Sequence, residues 1–344
     1  VEVRKIVCIF AGTKRENDMT QGDEQHISNT QDANNTNNVA SAQEATASVQ
    51  EAAAAATQAA ASQAEQLEIR PDVLNYEDIR QMIPWFDGKP KLVERLMKLL
   101  ALDKVNWIHR HNMHTPGVQF SVGLLNDLNI KMDVRNEQVL DGFKEGGFIT
   151  VSNHPFGALD GIMLIKLVGQ HREDFKVMVN MILNHISAMR PNFINVDALA
   201  SDDPSRRAVS MRGIVEALRH VKEGHPLGFF PAGAVSKFTW KLHIEDRDWQ
   251  PSVMRIIAKS RVPVVPIYFH GHNSVFFNIL GMIDWRLRTL RLPSEVFRRH
   301  DSTFRISIGD PISPEEQAQH NGSAEELGAF LKSKTYELRK WTKK

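Results

Sequence analysis

Apolar residues recur every three or four positions over 91–102, where Leu92, Val93, Leu96, Leu99 and Leu100 share one stripe, and that spacing predicts an amphipathic helix. Shorter helices are expected over 75–83 and 119–128, with Pro84 and Pro90 bounding the linker that separates the first two. From 147 onward the period changes. Compact apolar runs at 147–152, 175–179, 227–230, 262–269 and 304–308 predict buried strands. Between them lie helical patterns over 160–168, 205–221 and 252–258, and a long final helix over about 314–341. This alternation predicts an α/β domain over 131–313, preceded by a small helical element over 67–130 and followed by a C-terminal helix over 314–344. No internal repeat is evident.

The first 66 residues break the pattern. They are polar and alanine-rich, offer almost no large apolar side chain for burial, and are expected to form a disordered tail, because nothing offsets the backbone entropy of ordering them. They also carry four Lys/Arg against nine Asp/Glu, so the formal charge of +1 for 344 residues conceals an acidic tail and a mildly basic folded part. That balance gives no basis for nucleic-acid wrapping. A single cysteine, Cys8, excludes an internal disulfide and a thiolate metal site, which fits a reducing compartment. The apolar stretch from Ile6 to Ala11 is too short for a signal-peptide core or a membrane span.

The strand at 147–152 runs into Asn153-His-Pro-Phe-Gly-Ala-Leu-Asp-Gly161. Strand ends deliver side chains to the rim of an α/β sheet, and Pro155 with Gly157 allows the compact turn that returns Asp160 to His154. A carboxylate on one ring nitrogen fixes the tautomer and leaves the other nitrogen to take a proton from a hydroxyl. Alone, the same residues also describe a histidine satisfying backbone groups, with Asp160 as a helix cap. A serine hydrolase would use Ser152 or Ser236, but neither lies in a Gly-x-Ser-x-Gly elbow. His109, His111 and His114 match no familiar zinc spacing, so no metal is expected.

Three further stretches carry chemistry. In Gly228-Phe-Phe-Pro-Ala-Gly-Ala-Val-Ser-Lys237, backbone N–H groups around Gly233, with Ser236 and Lys237, are candidate donors to an oxyanion. In Val262-Pro-Val-Val-Pro-Ile-Tyr-Phe-His-Gly271 two prolines interrupt an apolar run, which predicts an edge or irregular strand whose Val262, Pro263 and Pro266 line an apolar groove. The segment 276–292 joins bulky apolar residues to Trp285, Arg286, Arg288 and Arg291, a mixture suited to a membrane interface and also to a helix packed on the domain.

Three of these stretches, in this order, resemble the motifs of the glycerolipid acyltransferase superfamily over roughly 145–310, and more closely its hemolysin-associated and lyso-ornithine-lipid (amino-acid lipid) branch. The pair His154 and Asp160, with Asn153, Gly157 and Gly161, resembles the first motif; Phe230-Pro-Ala-Gly-Ala-Val-Ser236 resembles the third, and Val262-Pro-Val-Val-Pro-Ile267 the fourth. The five residues between His154 and Asp160 match the longer spacing of the amino-acid-lipid branch. Ala232 and Val235 stand where the common third motif has glutamate and arginine, which weakens the case for glycerol 3-phosphate as acceptor. The second motif is weak in Pro191-Asn-Phe-Ile-Asn-Val-Asp197, with Asn195 at the usual arginine position, so Arg190, Arg206, Arg207 or Lys237 is expected to supply positive charge.

The resemblance implies a mixed-sheet α/β acyltransferase that binds no cofactor and uses acyl carrier protein or coenzyme A thioesters as co-substrate. His154 and Asp160 would act as general base and orienter, with Phe230, Pro231 and Gly233 at the substrate. The implied acceptor is the hydroxyl of a mono-acylated amino-acid lipid, at the cytoplasmic face of the cell membrane and peripheral to it. Lysophosphatidic acid is the alternative acceptor, and a non-enzymatic lipid- or partner-binding protein on the same fold is the alternative role.

Overall fold

The computed structural model describes residues 69–197, 204–239 and 243–340; the expected tail and Cys8 lie outside the described residues. Four helices come first, α1 (Tyr76–Met82), α2 (Pro90–Leu99), α3 (Leu102–Asn112) and α4 (Val118–Asp127). Asn75 and Asp78 start α1 by a reciprocal capping box, each side chain accepting the other's backbone N–H. The stripe expected over 91–102 stops at Leu99 because Ala101 adopts a left-handed φ of 58° and turns the chain into α3, a separate helix whose start the sequence reading does not mark. Asn106 on α3 then holds the entering chain: its Oδ1 accepts from the N–H groups of Val73 and Leu74, and its Nδ2 donates to Leu74 O.

The sheet contains β1 (Lys131–Arg135), β2 (Ile149–Ser152), β3 (Lys176–Asn180), β4 (Phe193–Val196), β5 (Leu227–Phe229), β8 (Val264–Phe269) and β9 (Thr303–Ile308). Its spatial order is β1-β9-β8-β2-β5-β3-β4. The five strands from β8 to β4 are mutually parallel, whereas β9 is antiparallel to β8 and parallel to β1, so the sheet is mixed. Strands β2, β5 and β8 are buried along their whole length, as expected for strands covered on both faces.

Alternation of side chains divides the core into two layers. On one face Val265, Ile267 and Phe269 meet Leu164, Leu167 and Val168 of α5 (Ala158–Gly169), together with Phe120 and Leu124 of α4. On the other, Ile149, Val151 and Phe229 meet Ala217 and Val221 of α6 (Pro204–Lys222), Met254 and Ile257 of α7 (Pro251–Ser260), and a C-terminal helix. Chain direction matters for function here. From β2 the chain crosses through α5 to β3, and from β5 it crosses through α7 to β8 on the opposite side of β2. Adjacent strands whose connections depart in opposite directions leave a crevice at their carboxyl ends.

Two expectations are corrected. The proline-containing strand is interior: β8 pairs with β2 on one side and β9 on the other. The prolines are tolerated because Pro263 precedes the strand, and Pro266 sits in a gap of the second ladder, between the pairs at 267–269 and an isolated bridge from Val264 to Ile312. Only the Gly309 N–H reaches Pro266 there, donating to its carbonyl, and a Cβ on Gly309 would lie 2.7 Å from the proline ring. The long final helix is also interrupted. It forms α10 (Pro314–Ala318) and α11 (Ala324–Glu337), because Asn321-Gly322 breaks the pattern and Ser323 caps a new start by accepting from the Glu326 N–H.

Between β5 and α7 lies a small hairpin of β6 (Lys237–Phe238) and β7 (Ile244–Glu245), and between β8 and β9 lie α8 (Val275–Ile283) and α9 (Trp285–Phe297). The 276–292 segment is thus two helices, packed on each other. Among the described residues, no helix is long and apolar enough to cross a membrane.

Candidate active site

The loop leaving β2 reaches the crevice beside the turn leaving β5. Asn153 extends the β2 edge with its side chain, accepting from the Phe269 N–H at 2.7 Å and donating to the Phe269 carbonyl at 2.9 Å. The next residue, His154, is released from the ladder. Gly157 then takes φ 75° and ψ −128°, which L side chains rarely adopt, and starts α5 so that Asp160 falls in its first turn.

His154 Nδ1 lies 3.0 Å from Asp160 Oδ2, close enough to pair the two groups although the angle falls short of a regular hydrogen bond. The same oxygen accepts the N–H groups of Phe156 at 2.8 Å and Gly157 at 3.0 Å, so Asp160 is at once helix cap and partner of the imidazole. Its side chain is fully buried, while that of His154 retains 19% exposure, which leaves the ring reachable from the crevice. Burial pushes the Asp160 carboxyl above the usual carboxylate range, against the opposing pull of His154 and the two N–H donors. Phe230 lies against the imidazole in a tilted contact, with ring centroids 4.3 Å apart. Nε2 makes no hydrogen bond among the described residues. A ring held on one side and open on the other can remove a proton from a hydroxyl.

The main chain of His154 is held by Asp246, which sequence reasoning passed over. Asp246 Oδ1 accepts from the His154 N–H at 3.2 Å and from Ser236 Oγ at 2.5 Å, and the Ser236 N–H donates to His154 O at 2.9 Å. Burial raises the Asp246 carboxyl as well. Lying in Glu245-Asp246-Arg247-Asp248, it reads in sequence as one charge of a solvated run, and nothing local marks it as buried.

This arrangement narrows the expected oxyanion donors. The Gly233 N–H is spent on Phe230 O, and both donors of Ser236 are engaged by His154 and Asp246. The N–H groups of Ala234 and Val235 remain without a hydrogen bond among the described residues. Gly233, at φ 64°, packs so closely on Gln250 that a Cβ would lie 1.9 Å from its amide nitrogen, and Pro231 O accepts the Gln250 N–H. Neither serine serves as a nucleophile on His154: Ser152 is buried in β2, and Ser236 Oγ donates to a carboxylate.

Other expected residues fall in varied places. Gly161 faces Phe230 in ordinary contact. Lys237 and Trp285 are exposed beside the crevice-side helices. Arg288, expected at a membrane, is buried, its guanidinium donating to Ser236 O at 3.1 Å and Val235 O at 2.9 Å, because α9 lies over the β5 turn. Arg291 is half-buried with its guanidinium 5.1 Å from the Phe276 ring centre. Val262 and Pro263 lie at the amino end of β8, opposite the crevice, and Pro266 is buried in the ladder, so the structure does not bring them to His154. Arg190 donates to Asn184 O, Arg207 is exposed, and the side chains of Arg206 and Arg286 lie outside the description. His109 is a buried structural residue against Pro71 O, and His111 pairs with Asp127. Among the described residues no cluster of histidine, cysteine or acidic side chains could hold a metal ion.

Gly157→Ala should act at this turn alone. The new Cβ would lie 2.7 Å from Leu292 Cδ2 and force a disfavoured φ, a cost of about 1–3 kcal/mol. Thermal melting should show a lower midpoint; an unchanged one would mean that the turn relaxes freely.

The family described as Acyltransferase matches residues 89–343 of the chain. The chain is similar to the protein named Lyso-glycine lipid O-acyltransferase from Bacteroides thetaiotaomicron, at 26% identity over 254 residues, covering 72% of this chain and 89% of that protein. It is similar to a protein of the same name from Phocaeicola vulgatus, at 27% identity over 275 residues, covering 76% and 94%. Among solved structures it is similar to the 1-acyl-sn-glycerophosphate (LPA) acyltransferase PlsC from Thermotoga maritima, with a TM-score of 0.42 and 16% identity over 66% of this chain and 80% of that one.

Proposed function

The chain belongs to the acyltransferase family, and from that premise we propose that it transfers a fatty acyl group from an acyl thioester to the hydroxyl of a mono-acylated amino-acid lipid of the lyso-glycine type. The observation that carries the reading is the His154–Asp160 pair, 3.0 Å apart at the carboxyl end of β2, with the far ring nitrogen open to the crevice. Nε2 takes the acceptor's proton as its oxygen attacks the thioester carbonyl. The negative charge that develops on that carbonyl falls to the Ala234 and Val235 N–H groups. Collapse expels the thiolate of coenzyme A or acyl carrier protein, which recovers the proton from the imidazolium. Asp160 stays ionised and stabilises the charged ring. No acyl-enzyme is needed.

Both lipid substrates are amphiphiles, and helices α8 and α9 offer them a surface. Val275, Phe276, Ile279, Met282 and Ile283 expose apolar side chains, with Trp285 at the helix junction, a composition that suits peripheral seating at the cytoplasmic face of the cell membrane.

The test is mass spectrometry of products from the purified full chain, given coenzyme A or acyl-carrier-protein thioesters with lyso-glycine lipid, lyso-ornithine lipid or lysophosphatidic acid. A di-acylated amino-acid lipid is expected. Phosphatidic acid as the sole product would overturn the acceptor assignment, and free fatty acid formed at the same rate without any acceptor would overturn transfer in favour of hydrolysis.

A further inference from the structure

Behind the β5 turn, an open cavity of about 440 Å³ is lined by Lys237, Arg247, Met282, Asp284, Trp285 and Arg288. Three cationic side chains thus face one carboxylate across the cavity. None of the three forms an ion pair among the described residues. Arg288 is the most constrained of them: it is 5% exposed, its guanidinium donates to the neutral carbonyls of Val235 and Ser236, and it lies 5.6 Å from the centre of the Phe277 ring. Gly281 makes room for it, since a Cβ there would lie 2.6 Å from Arg288 Cδ. Burial and the neighbouring Arg247 charge pull the Arg288 pKa down to about 10. A guanidinium withdrawn from water beside a like charge, with only neutral acceptors, is incompletely compensated until an anion arrives.

The position adds a second constraint. Ser236, whose carbonyl Arg288 holds, donates its own N–H to His154 O, so the cationic cavity lies one hydrogen bond from the main chain of the base. On its outer side, Met282 and Ile283 continue into the exposed apolar face of α8. A ligand with an anionic head, an acyl chain and a hydroxyl to present between them matches that sequence of surfaces.

We propose that Lys237, Arg247 and Arg288 form the subsite for the anionic head group of the lyso-lipid acceptor, a carboxylate in an amino-acid lipid. The proposal rests on the reading of a lyso-lipid acceptor given above and deepens it. The cations fix the head, the chain lies along α8, and the hydroxyl is left for His154. Arg288 from α9 thereby supplies positive charge beside Val235, a position that carries none itself.

The test measures binding separately from turnover. Equilibrium binding in non-ionic micelles is compared for lyso-glycine lipid, its neutral glycinamide analogue and lysophosphatidic acid, using the full chain and the Lys237→Gln/Arg247→Gln double variant. Both substituted side chains are exposed, so folding is preserved, whereas the buried Arg288 is left in place. The wild type should bind the carboxylate form at least about tenfold more tightly than the amide, as expected for a charge-assisted contact of about 1.4 kcal/mol or more. The double variant should lose that preference, with the KM for the thioester unchanged. Equal binding of acid and amide by the wild type, a preference that survives in the double variant, or a raised thioester KM with unaltered acceptor binding would each overturn the proposal. A preference for lysophosphatidic acid that disappears in the double variant would keep the anion subsite and assign it to a phosphate. If no lyso-lipid is turned over while the charge-dependent binding remains, the function falls and the subsite stands; if lyso-glycine lipid is acylated without charge-dependent binding, only the subsite falls.

Discussion

Replacing His154 with alanine should lower kcat by about 10³-fold, within the range that a general base contributes, and leave the fold in place. The reason for the second half lies in the main chain. The His154 N–H donates to Asp246, and its carbonyl accepts the Ser236 N–H, so both bonds survive loss of the ring. Asp160 likewise keeps the Phe156 and Gly157 N–H groups. What disappears is the imidazole tilted against Phe230 and the side-chain partner that draws the Asp160 carboxyl downward. The variant should therefore show a wild-type circular dichroism spectrum, a modest drop in melting temperature and partial rescue of transfer by added imidazole, which fits the vacated space. Undiminished transfer with the ring gone would sink the mechanism. A collapsed spectrum would instead make His154 a structural residue.

The His154–Asp160 pair was legible in sequence because everything that assembles it is local. A strand, a proline, a glycine and a carboxylate six residues after the histidine suffice to close the turn, and the structure places them as that pattern expects. The parts that escaped depend on distant partners. Asp246 holds His154 across 92 residues of chain. Arg288 reaches Ser236 across 52, so its burial follows from where α9 packs and not from its own segment, which reads as an interface helix. That the Gly233 N–H and Ser236 are engaged elsewhere escaped for a related reason, since an unpaired N–H cannot be told in sequence from one that closes a turn.

The missed elements have physical causes of their own. Strand β1 offers only Met132 and Val134 as apolar residues and is fixed by pairing with β9. Strand β4 spans four residues after a proline-containing turn, too few for a period to register. Helix α3 follows α2 through a left-handed alanine, where a glycine or asparagine would have signalled the break. The break before α11 is different, because Asn321-Gly322-Ser323 is a turn and cap signal readable in the chain itself. For β8, the rule that prolines avoid interior strands was outweighed by a gap in the partner ladder opposite Pro266.

Asp160→Asn should separate activity from stability. Transfer should fall by about 10²–10⁴-fold, since a neutral amide, even with its oxygen facing Nδ1, lacks the charge that stabilises the imidazolium. Stability should move the other way or not at all. In the folded chain burial raises the carboxyl pKa above its ordinary value of 3.8, so the native state binds the proton more tightly than the unfolded one. Stability then declines as pH rises through the interval between 3.8 and the folded value, and the ionised carboxylate remains a cost at every higher pH. One carboxylate oxygen, Oδ1, is buried without a partner, whereas Oδ2 carries both N–H contacts. An asparagine can set its oxygen where Oδ2 stands and keep those contacts, while removing the buried charge. At pH 8 the melting temperature of the variant should equal or exceed that of the wild type; below about pH 3, where the carboxyl is largely protonated in the folded and unfolded chain alike, the advantage should vanish. A steep loss of stability at pH 8 would show that the ionised pair is a net structural bond, and transfer within about threefold of wild type would remove Asp160 from the mechanism, since that is far below the factor a base's orienting partner contributes.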